Sequence, residues 1–259
     1  MKFCANVSML FKEAPFLERF DRAARAGFAA VEFWWPAGEP LDEVEAAIKA
    51  AGLQVALFNF DAGEMPEGDR GLLSDPDRAH RFRENVPVAL ELAERLGCGR
   101  MNALVGLERS PGERAAQLEL AAENVRWAAD QAAPHGIAIT IEAVNTFENG
   151  PYLVHTTRQA AQFADTVDRP NVRLQYDAYH MQRMEGNLVA TIEQFLPRIA
   201  HIQIADAPGR GEPGTGEINF PFVLDAIDAL GYDGWIGLEY NPTTATTEES
   251  LAWMPERSA

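Results

Sequence analysis

The chain has 259 residues, with 22 Lys and Arg against 39 Asp and Glu, so its formal net charge is −17. This balance disfavours nucleic acid and anionic membrane surfaces as partners, because both are bound mainly through an excess of Lys and Arg. Hydrophobic residues make up 47% of the chain, enough for a large core.

Eight short apolar runs are predicted to be β-strands. In chain order they cover residues 3–8, 30–33, 54–59, 100–105, 137–142, 172–177, 200–205 and 235–239. Segments with helical periodicity separate them, at residues 16–26, 41–51, 76–96, 112–133, 157–166, 188–195 and 220–230. Glycine follows several of these segments, as at Gly27, Gly52 and Gly97, where a left-handed residue commonly ends a helix.

Short strands that alternate with helices predict a parallel sheet. Eight such units, in a chain near the usual barrel length of about 250 residues, predict a single (β/α)8 TIM-barrel domain over residues 1–259. A Rossmann fold is disfavoured, because the first strand leads into Ser8, Met9 and Leu10 without a glycine-rich turn for a pyrophosphate.

The two cysteines, Cys4 and Cys98, are too few for a disulfide framework and match no zinc motif. Both lie in apolar runs and are predicted to be core residues. The sequence has no uninterrupted apolar stretch long enough for a transmembrane helix, and its first residues do not resemble a secretory signal. We therefore expect a cytoplasmic protein.

Each of the last four strands carries an oxygen-bearing side chain at or near its end. Glu142, Asp177 and Glu239 close strands five, six and eight, and Gln203 lies on strand seven. The active site of a TIM barrel lies at the carboxyl ends of its strands, so we expect these side chains to share one mouth. Their oxygen atoms suit a hard divalent cation such as Mg²⁺ or Mn²⁺. Any one of them alone could instead cap a helix or pair with an arginine.

Two further residues are predicted to contact a substrate. His180 lies in the loop expected after strand six, and Arg210 lies in the Gly- and Pro-rich segment 206–217. A guanidinium there can bind a carboxylate through two parallel hydrogen bonds. A surface salt bridge for Arg210 and a structural role for His180 are the alternatives. His201 is expected to line the barrel below the metal.

Polar and aromatic residues also close the first four strands, namely Asn6, Ser8, Glu32, Trp34, Trp35, Asn59 and Asn102. Aromatic residues at a barrel mouth can shield a small polar ligand from water. They can equally pack under a loop or at a subunit contact, and a homo-oligomeric state is left open.

Several segments carry a family resemblance: ANVSMLF (5–11), AVEFWWP (30–36), ALFNF (56–60), IEAVN (141–145), YDAYHMQ (176–182), HIQIA (201–205), GEINFP (216–221) and GWIGLEYNP (234–242). Together they resemble the hydroxypyruvate isomerase family, including its 2-oxo-tetronate isomerase members, within the xylose-isomerase-like TIM barrels. The resemblance extends over essentially the whole chain. It is specific to the family rather than to one substrate.

The resemblance implies that the metal ligands are Glu142, Asp177, Gln203 and Glu239. It also implies that Glu142 and Glu239 form the acid–base pair. Gln203 stands where the related ketose epimerases carry a histidine, which favours the isomerase branch. His180 and Arg210 match positions that contact substrate in those epimerases.

Two positions depart from the family pattern, and both bear on the substrate. Asn241 replaces the lysine of the family's Glu-Tyr-Lys-Pro, which removes a charge that would help to hold an acid substrate. The loop after strand five reads ENGP (148–151) rather than Asp-x-Pro-Gly.

The implied reaction is reversible aldose–ketose isomerisation of a small hydroxy-oxo acid, either hydroxypyruvate to tartronate semialdehyde or 2-oxo-tetronate. A divalent metal would stabilise an enediolate while the glutamates move the proton. A ketose 3-epimerase and a non-catalytic ligand-binding barrel are the alternatives. An apurinic-endonuclease-type barrel would need a histidine-rich zinc site and a basic face, which five histidines and a charge of −17 disfavour.

Overall fold

The computed structural model of the protein describes residues 1–110 and 112–254. Within them, eight parallel strands close into a barrel, in which each strand pairs with the next along the chain and the last pairs with the first. The strands are β1 Lys2–Asn6, β2 Ala30–Phe33, β3 Gln54–Asn59, β4 Arg100–Asn102, β5 Ala138–Glu142, β6 Val172–Asp177, β7 Ile199–Ile204 and β8 Trp235–Leu238. The predicted TIM barrel is confirmed.

Helices connect successive strands. They are α1 Phe16–Arg25, α2 Leu41–Ala50, α3 Ala79–Leu96, α4 Arg114–Ala132, α5 Thr146–Asn149, α6 Thr157–Val167, α7 Ala178–Met184, α8 Leu188–Phe195, α9 Phe220–Ala229 and α10 Thr247–Ser250. Short 3₁₀ turns cover Met65–Glu67, Ala133–His135, Leu196–Arg198 and Leu251–Trp253. Among the described residues, no helix combines the length and the apolar character needed to span a membrane.

The strands are buried on both faces, because their inward side chains fill the barrel and their outward side chains pack under the helices. Phe33 of β2 stacks on Phe58 of β3 with 5.3 Å between ring centroids, and Phe20 of α1 meets Phe33 edge-on at 5.9 Å. Burying each such side chain stabilises the fold by roughly 1.5–3 kcal/mol. Cys4 and Cys98 are 0% and 2% exposed, which confirms them as core residues.

The strands β1, β4, β7 and β8 end one to three residues earlier than predicted, and the differences at β4 and β8 bear on the site. β4 stops at Asn102 rather than at residue 105, and the backbone N–H of Val105 donates to the hydroxyl of Tyr152 at 2.8 Å instead of to a neighbouring strand. β8 stops at Leu238, so Glu239 is the first residue beyond the strand. Both differences leave the polar side chains at the carboxyl end of the barrel.

The loop predicted after strand six is wrong, since α7 follows β6 directly. Oδ1 of Asp177 accepts the backbone N–H groups of Tyr179 at 2.7 Å and His180 at 3.3 Å, and so caps the helix. His180 therefore lies in the first turn of a helix, where its position is fixed by the cap.

Candidate active site

Glu142 at the end of β5, Asp177 at the end of β6, His180 in α7 and Glu239 just beyond β8 lie together. One potential ligand atom of each lies within 4.8 Å of the others. All four residues are buried, and none is more than 5% exposed. Gln203 pairs in register with Asp177 across β6 and β7. We refer below to Glu142, Asp177 and Glu239 as the mouth carboxylates.

The two carboxylate oxygens of Asp177 have different surroundings. Oδ1 caps α7, whereas Oδ2 is buried and accepts no hydrogen bond from the residues that the structure describes. The nearest basic nitrogens are Nε2 of His180 at 3.6 Å and Nη2 of Arg210 at 3.8 Å. A buried carboxylate oxygen without a donor is unfavourable, so Oδ2 is available to a ligand.

Glu239 is held on both of its oxygens. Oε1 accepts from Nδ2 of Asn6 at 3.0 Å and from Nε1 of Trp34 at 2.9 Å, and Oε2 accepts from Nη2 of Arg210 at 2.5 Å. The Arg210 side chain is 18% exposed, so the surface salt bridge considered for it is wrong and the pair is largely buried. The Arg210 guanidinium also lies 5.2 Å from the ring centroid of Tyr179.

Glu142 is held on one oxygen. Oε2 accepts from Nδ2 of Asn102 at 2.7 Å. Oε1 lies 3.8 Å from Nε2 of His180 and accepts no hydrogen bond within residues 1–110 and 112–254. Glu142 therefore presents one free oxygen toward the same space as Asp177.

Burial raises the pKa of all three mouth carboxylates. For Glu142 the charges of Glu239 and Asp177 add to burial and hold the pKa well above its usual value. Burial likewise raises the pKa of Glu239 to about 7, although Arg210 opposes the shift. The mouth carboxylates therefore concentrate more negative charge than the neighbouring donors offset. A bound cation would reduce the repulsion between them.

The tautomer of His180 follows from its neighbours. Oδ1 of Asn145 accepts the N–H groups of Phe147 at 3.1 Å and Glu148 at 3.2 Å, which turns the amide nitrogen toward Nδ1 of His180 at 2.8 Å. Nδ1 therefore accepts, and the proton of the neutral ring lies on Nε2. Burial, assisted by the charge of Arg210, lowers the pKa of His180 well below its usual value. His180 thus presents a neutral N–H donor to the mouth carboxylates.

A chain of hydrogen bonds fixes the amide of Gln203. Nε2 of Gln203 donates to Oε1 of Glu32 at 2.6 Å, and Oε1 of Gln203 accepts from Nε2 of Gln175 at 2.6 Å. Gln175 in turn accepts from the Thr140 hydroxyl at 3.2 Å, which sets the direction of the chain. The carbonyl oxygen of Gln203 keeps a second lone pair.

Glu32 lies inside the barrel below the mouth carboxylates and is 0% exposed. Besides Gln203, it accepts from Nδ2 of Asn6 at 3.0 Å, from Nε2 of His201 at 2.5 Å and from Sγ of Cys4 at 3.4 Å. Burial tends to raise its pKa, but His201 and the hydrogen bonds outweigh burial and lower it. We call Glu32 the interior carboxylate. The position predicted for His201, inside the barrel, is confirmed.

Two features support the site as a metal centre. Glu142, Asp177 and Glu239 offer carboxylate oxygens within 4.8 Å of one another, and such oxygens suit a hard divalent cation. Asp177 Oδ2, a buried oxygen without a donor among the described residues, lies within this set. The residues therefore fit a divalent cation.

A pocket of about 360 Å³ borders Glu142 and Glu239. Its other walls include Trp34, Asn59, His180 and Arg210, all noted from the sequence, and also Met65, Arg70 and Asn149. Sequence reasoning missed Arg70 because it lies in the long segment between β3 and α3, which carries no periodic pattern. The sequence signal that could have identified Arg70 is a basic side chain in a loop at the carboxyl end of the barrel.

A sequence profile of xylose isomerase-like TIM barrels matches residues 20–257. Hydroxypyruvate isomerase of Escherichia coli strain K12 is 42% identical over 255 residues, which cover 98% of each chain. The chain belongs to this family. A 2-oxo-tetronate isomerase of Pectobacterium atrosepticum is also 42% identical, over 97% of this chain and 96% of that protein. The family resemblance is thus confirmed, and the protein is an isomerase.

Solved structures agree with this assignment at the level of the fold. A crystal structure of a Brucella melitensis protein described as an AP endonuclease of family 2 superposes with a TM-score of 0.94, at 41% identity over 99% of each chain. D-psicose 3-epimerase of Clostridium cellulolyticum H10 superposes with a TM-score of 0.76, at 23% identity over 93% of this chain and 85% of that one. The likeness to the epimerase concerns the fold alone.

Proposed function

We propose that this isomerase interconverts hydroxypyruvate and tartronate semialdehyde, or the corresponding four-carbon pair of 2-oxo-tetronate. The observation that carries the proposal is the convergence of Glu142, Asp177 and Glu239. Glu142 and Glu239 line a small pocket that Arg70 and Arg210 also line. Relatives at 42% identity bear the names of both activities, which supports the same substrate class for this chain.

Mg²⁺ or Mn²⁺ is the cofactor in this proposal. Glu142, Asp177, Glu239 and Gln203 would hold it. Such a cation polarises a carbonyl group and stabilises negative charge on its oxygen. Asp177 would then serve two purposes, since Oδ1 caps α7 while Oδ2 faces the cation.

The reaction removes a proton from the carbon that bears the hydroxyl group, forms an enediolate and returns a proton to the neighbouring carbon, while the hydroxyl proton passes to the former carbonyl oxygen. Glu142 is suited to take up the proton, because Asn102 holds one of its oxygens and leaves Oε1 free. Glu239 is suited to return it, because its pKa is raised to about 7 and its position is fixed by Asn6, Trp34 and Arg210. Groups whose pKa lies near the working pH exchange protons most efficiently.

His180 and Arg210 are the proposed substrate contacts. The Nε2–H of neutral His180 would donate to a substrate oxygen between Glu142 and Asp177. Arg210 borders the pocket while it holds Glu239, so its guanidinium would align the acid–base residue with the bound substrate.

A substrate panel tests the proposal. Purified protein is assayed with hydroxypyruvate, 2-oxo-tetronate and a neutral ketohexose, each with added Mg²⁺ and with excess chelator. We expect turnover of one or both acids, and its loss on chelation. Turnover confined to the neutral ketose, with its configuration inverted at one carbon, would replace the isomerase with an epimerase.

A nucleic-acid function is not favoured by the site. In the part of the chain that the structure describes, the mouth cluster contains one histidine, His180, rather than a histidine-rich set. The net charge of −17 also disfavours a duplex as substrate.

A further inference from the structure

One guanidinium of the pocket lacks an acidic partner. Arg70 is half-buried and borders the same pocket as Glu142 and Arg210. Its Nε donates to Oδ1 of Asn149 at 2.6 Å, and its Nη1 donates to the backbone oxygen of Met65 at 3.0 Å. Within residues 1–110 and 112–254, its Nη2 makes no hydrogen bond and no carboxylate lies within ion-pair distance.

The nearest acidic residue is committed elsewhere. Asp69 offers Arg70 only its backbone oxygen, at 2.6 Å from Nη1. The Asp69 carboxylate accepts two hydrogen bonds from Arg78, at 2.7 and 2.8 Å, and a third from Arg109 at 2.8 Å. The positive charge of Arg70 is therefore not offset by the residue beside it.

The backbone next to Arg70 is closely confined. Gly71 has φ +110°, and a Cβ atom there would lie 2.0 Å from the backbone oxygen of Leu104. The N–H of Gly71 also donates to the backbone oxygen of Ala62 at 3.0 Å. A side chain at position 71 would push the backbone away from Leu104. The glycine allows this close approach, which keeps Arg70 at the pocket wall.

The charges of the pocket restrict how an acid substrate can lie in it. In the proposed reaction the carbonyl and hydroxyl oxygens of the substrate would face the mouth carboxylates and their cation, which leaves the substrate's own carboxylate to another group of the pocket. The other arginine of the pocket, Arg210, is already paired with Glu239 at 2.5 Å. Among the described residues, Arg70 is the pocket guanidinium without a carboxylate partner, and its Nη2 is free to donate to one.

We propose that Arg70 binds the carboxylate of the substrate and selects hydroxy-oxo acids over neutral ketoses. This inference rests on the proposed function, because it assigns a binding group to the acid substrate of the same site. A charged hydrogen bond with a fixed donor is short and strong, and Arg70 offers a carboxylate the two N–H groups of its Nη2 while Asn149 and Met65 hold the rest of the guanidinium. A neutral ketose has no group that gains from this contact.

Kinetics of three variants test the assignment. Arg70→Gln removes the charge. Arg70→Lys keeps the charge without the guanidinium that Asn149 and Met65 hold in place. Arg25→Gln removes a charge from an exposed pair with Asp21 and is the control. We expect Arg70→Gln to raise KM for hydroxypyruvate about 10- to 100-fold, with a much smaller change in kcat. Arg70→Lys should recover part of the loss, and Arg25→Gln should match the wild type.

A binding measurement separates this inference from the proposed function. Titration calorimetry with glycerate and with glycerol, in buffer that contains Mg²⁺, reports the carboxylate contact without turnover. Weaker binding of glycerate by Arg70→Gln, with glycerol unchanged, supports the assignment. Unchanged KM and unchanged glycerate binding in Arg70→Gln overturn it, whereas a wild-type protein inactive on both acids overturns the proposed function instead.

The variant Asn149→Ala controls for a purely structural role of Arg70. It removes the partner of Nε and leaves the charge in place. If Asn149→Ala raises KM for hydroxypyruvate as much as Arg70→Gln does, loop position rather than carboxylate binding is responsible, and the assignment fails.

Discussion

The interior carboxylate and the mouth carboxylates are equally buried but differ in their partners. Glu32 accepts hydrogen bonds from four side chains, of Cys4, Asn6, His201 and Gln203. Glu142 accepts one, from Asn102. The pKa of Glu32 is lowered and that of Glu142 is raised, although burial acts in the same direction on both.

The comparison shows that burial alone does not mark a functional carboxylate. A carboxylate surrounded by donors is stable as an anion within the fold. Glu142 accepts a single hydrogen bond and Oδ2 of Asp177 accepts none from the described residues, and this deficit of donors suits the two carboxylates to a cation. The interior carboxylate also supports the mouth directly, because Nδ2 of Asn6 bridges Glu32 and Glu239 at 3.0 Å to each.

The largest expected effect is on catalysis at the mouth. Glu142→Gln should lower turnover of hydroxypyruvate by about 10²- to 10⁴-fold, the usual contribution of a general acid–base group. The fold should be retained, because the amide oxygen can still accept from Asn102. Steady-state assays check this, with the exposed Glu91→Gln as the matched control. Turnover of Glu142→Gln close to that of the wild type would remove Glu142 from the mechanism.

Metal addition should stabilise the wild type through the mouth carboxylates. At a free Mn²⁺ concentration of 100 times Kd, the free energy of unfolding should rise by about 2.7 kcal/mol. Asp177→Asn, which removes the carboxylate with the donor-free oxygen, should lose most of this gain. Urea unfolding with Mn²⁺ and with chelator measures it. An equal gain in Asp177→Asn would place the cation elsewhere.

Replacing the interior carboxylate should instead destabilise the protein whether or not metal is present. Glu32→Gln turns one acceptor oxygen into a donor that faces other donors, which should cost about 1–3 kcal/mol. In chelator, Glu142→Gln should be as stable as the wild type or more so, because it relieves repulsion. Urea unfolding of the two variants provides the test. An equal loss in the free energy of unfolding of Glu32→Gln and Glu142→Gln would show that the surroundings of the two carboxylates do not differ in this way.

Glu239 at the mouth and Glu32 in the interior should change the stability of the protein in opposite directions as the pH rises. The folded-state pKa of Glu239 is raised to about 7. Glu239 therefore contributes fully to the free energy of unfolding below its unfolded pKa, and this contribution is lost as the pH rises through about 7. The folded-state pKa of Glu32 is lowered, so its contribution is present above the unfolded pKa and is lost as the pH falls through the folded value.

Metal-free protein should therefore be less stable at about pH 8.5 than at about pH 5.5, and added Mg²⁺ should reduce the difference. Urea unfolding at both values, with and without chelator, measures it. Stability that increases over this interval in chelator would contradict the raised pKa of the mouth carboxylates.

The smallest effect is expected at Trp34. Its Nε1 donates to Oε1 of Glu239 at 2.9 Å, and Trp34→Phe removes this donor while keeping an aromatic wall. Loss of one of three donors should lower kcat by about 3- to 10-fold, with Asn6 and Arg210 still in place. Pre-steady-state rates with hydroxypyruvate measure the effect, and an unchanged rate would show that the remaining donors suffice.

The barrel and the mouth carboxylates were predictable because both follow from regular spacing. Alternating strands and helices fix the fold, and the carboxyl ends of parallel strands meet at one face. Glu142, Asp177 and Glu239 could therefore be placed together from their positions at strand ends. The same reasoning placed His180 beside Asp177 but missed α7. Asp177 ends β6 and also caps α7, so no loop separates the strand from the helix.

The remaining contacts depend on the orientations of side chains, which the spacing of residues along the sequence does not give. Glu32 lies on β2, far along the chain from Gln203 and His201, and its four donors meet only when the barrel closes. Arg210 was placed near the site, but its pairing with Glu239 depends on a left-handed backbone at φ +55°. Arg70 lies in a segment without periodicity.

In the proposed mechanism, the mouth carboxylates hold a divalent cation with which this chain isomerises hydroxypyruvate. The most direct measurement follows hydroxypyruvate by NMR in D₂O, with protein stripped by chelator and then reloaded with Mg²⁺ or Mn²⁺. We expect tartronate semialdehyde to form only after the metal is restored, and reloaded Glu142→Gln to form almost none. Undiminished conversion by the stripped wild type would contradict this mechanism.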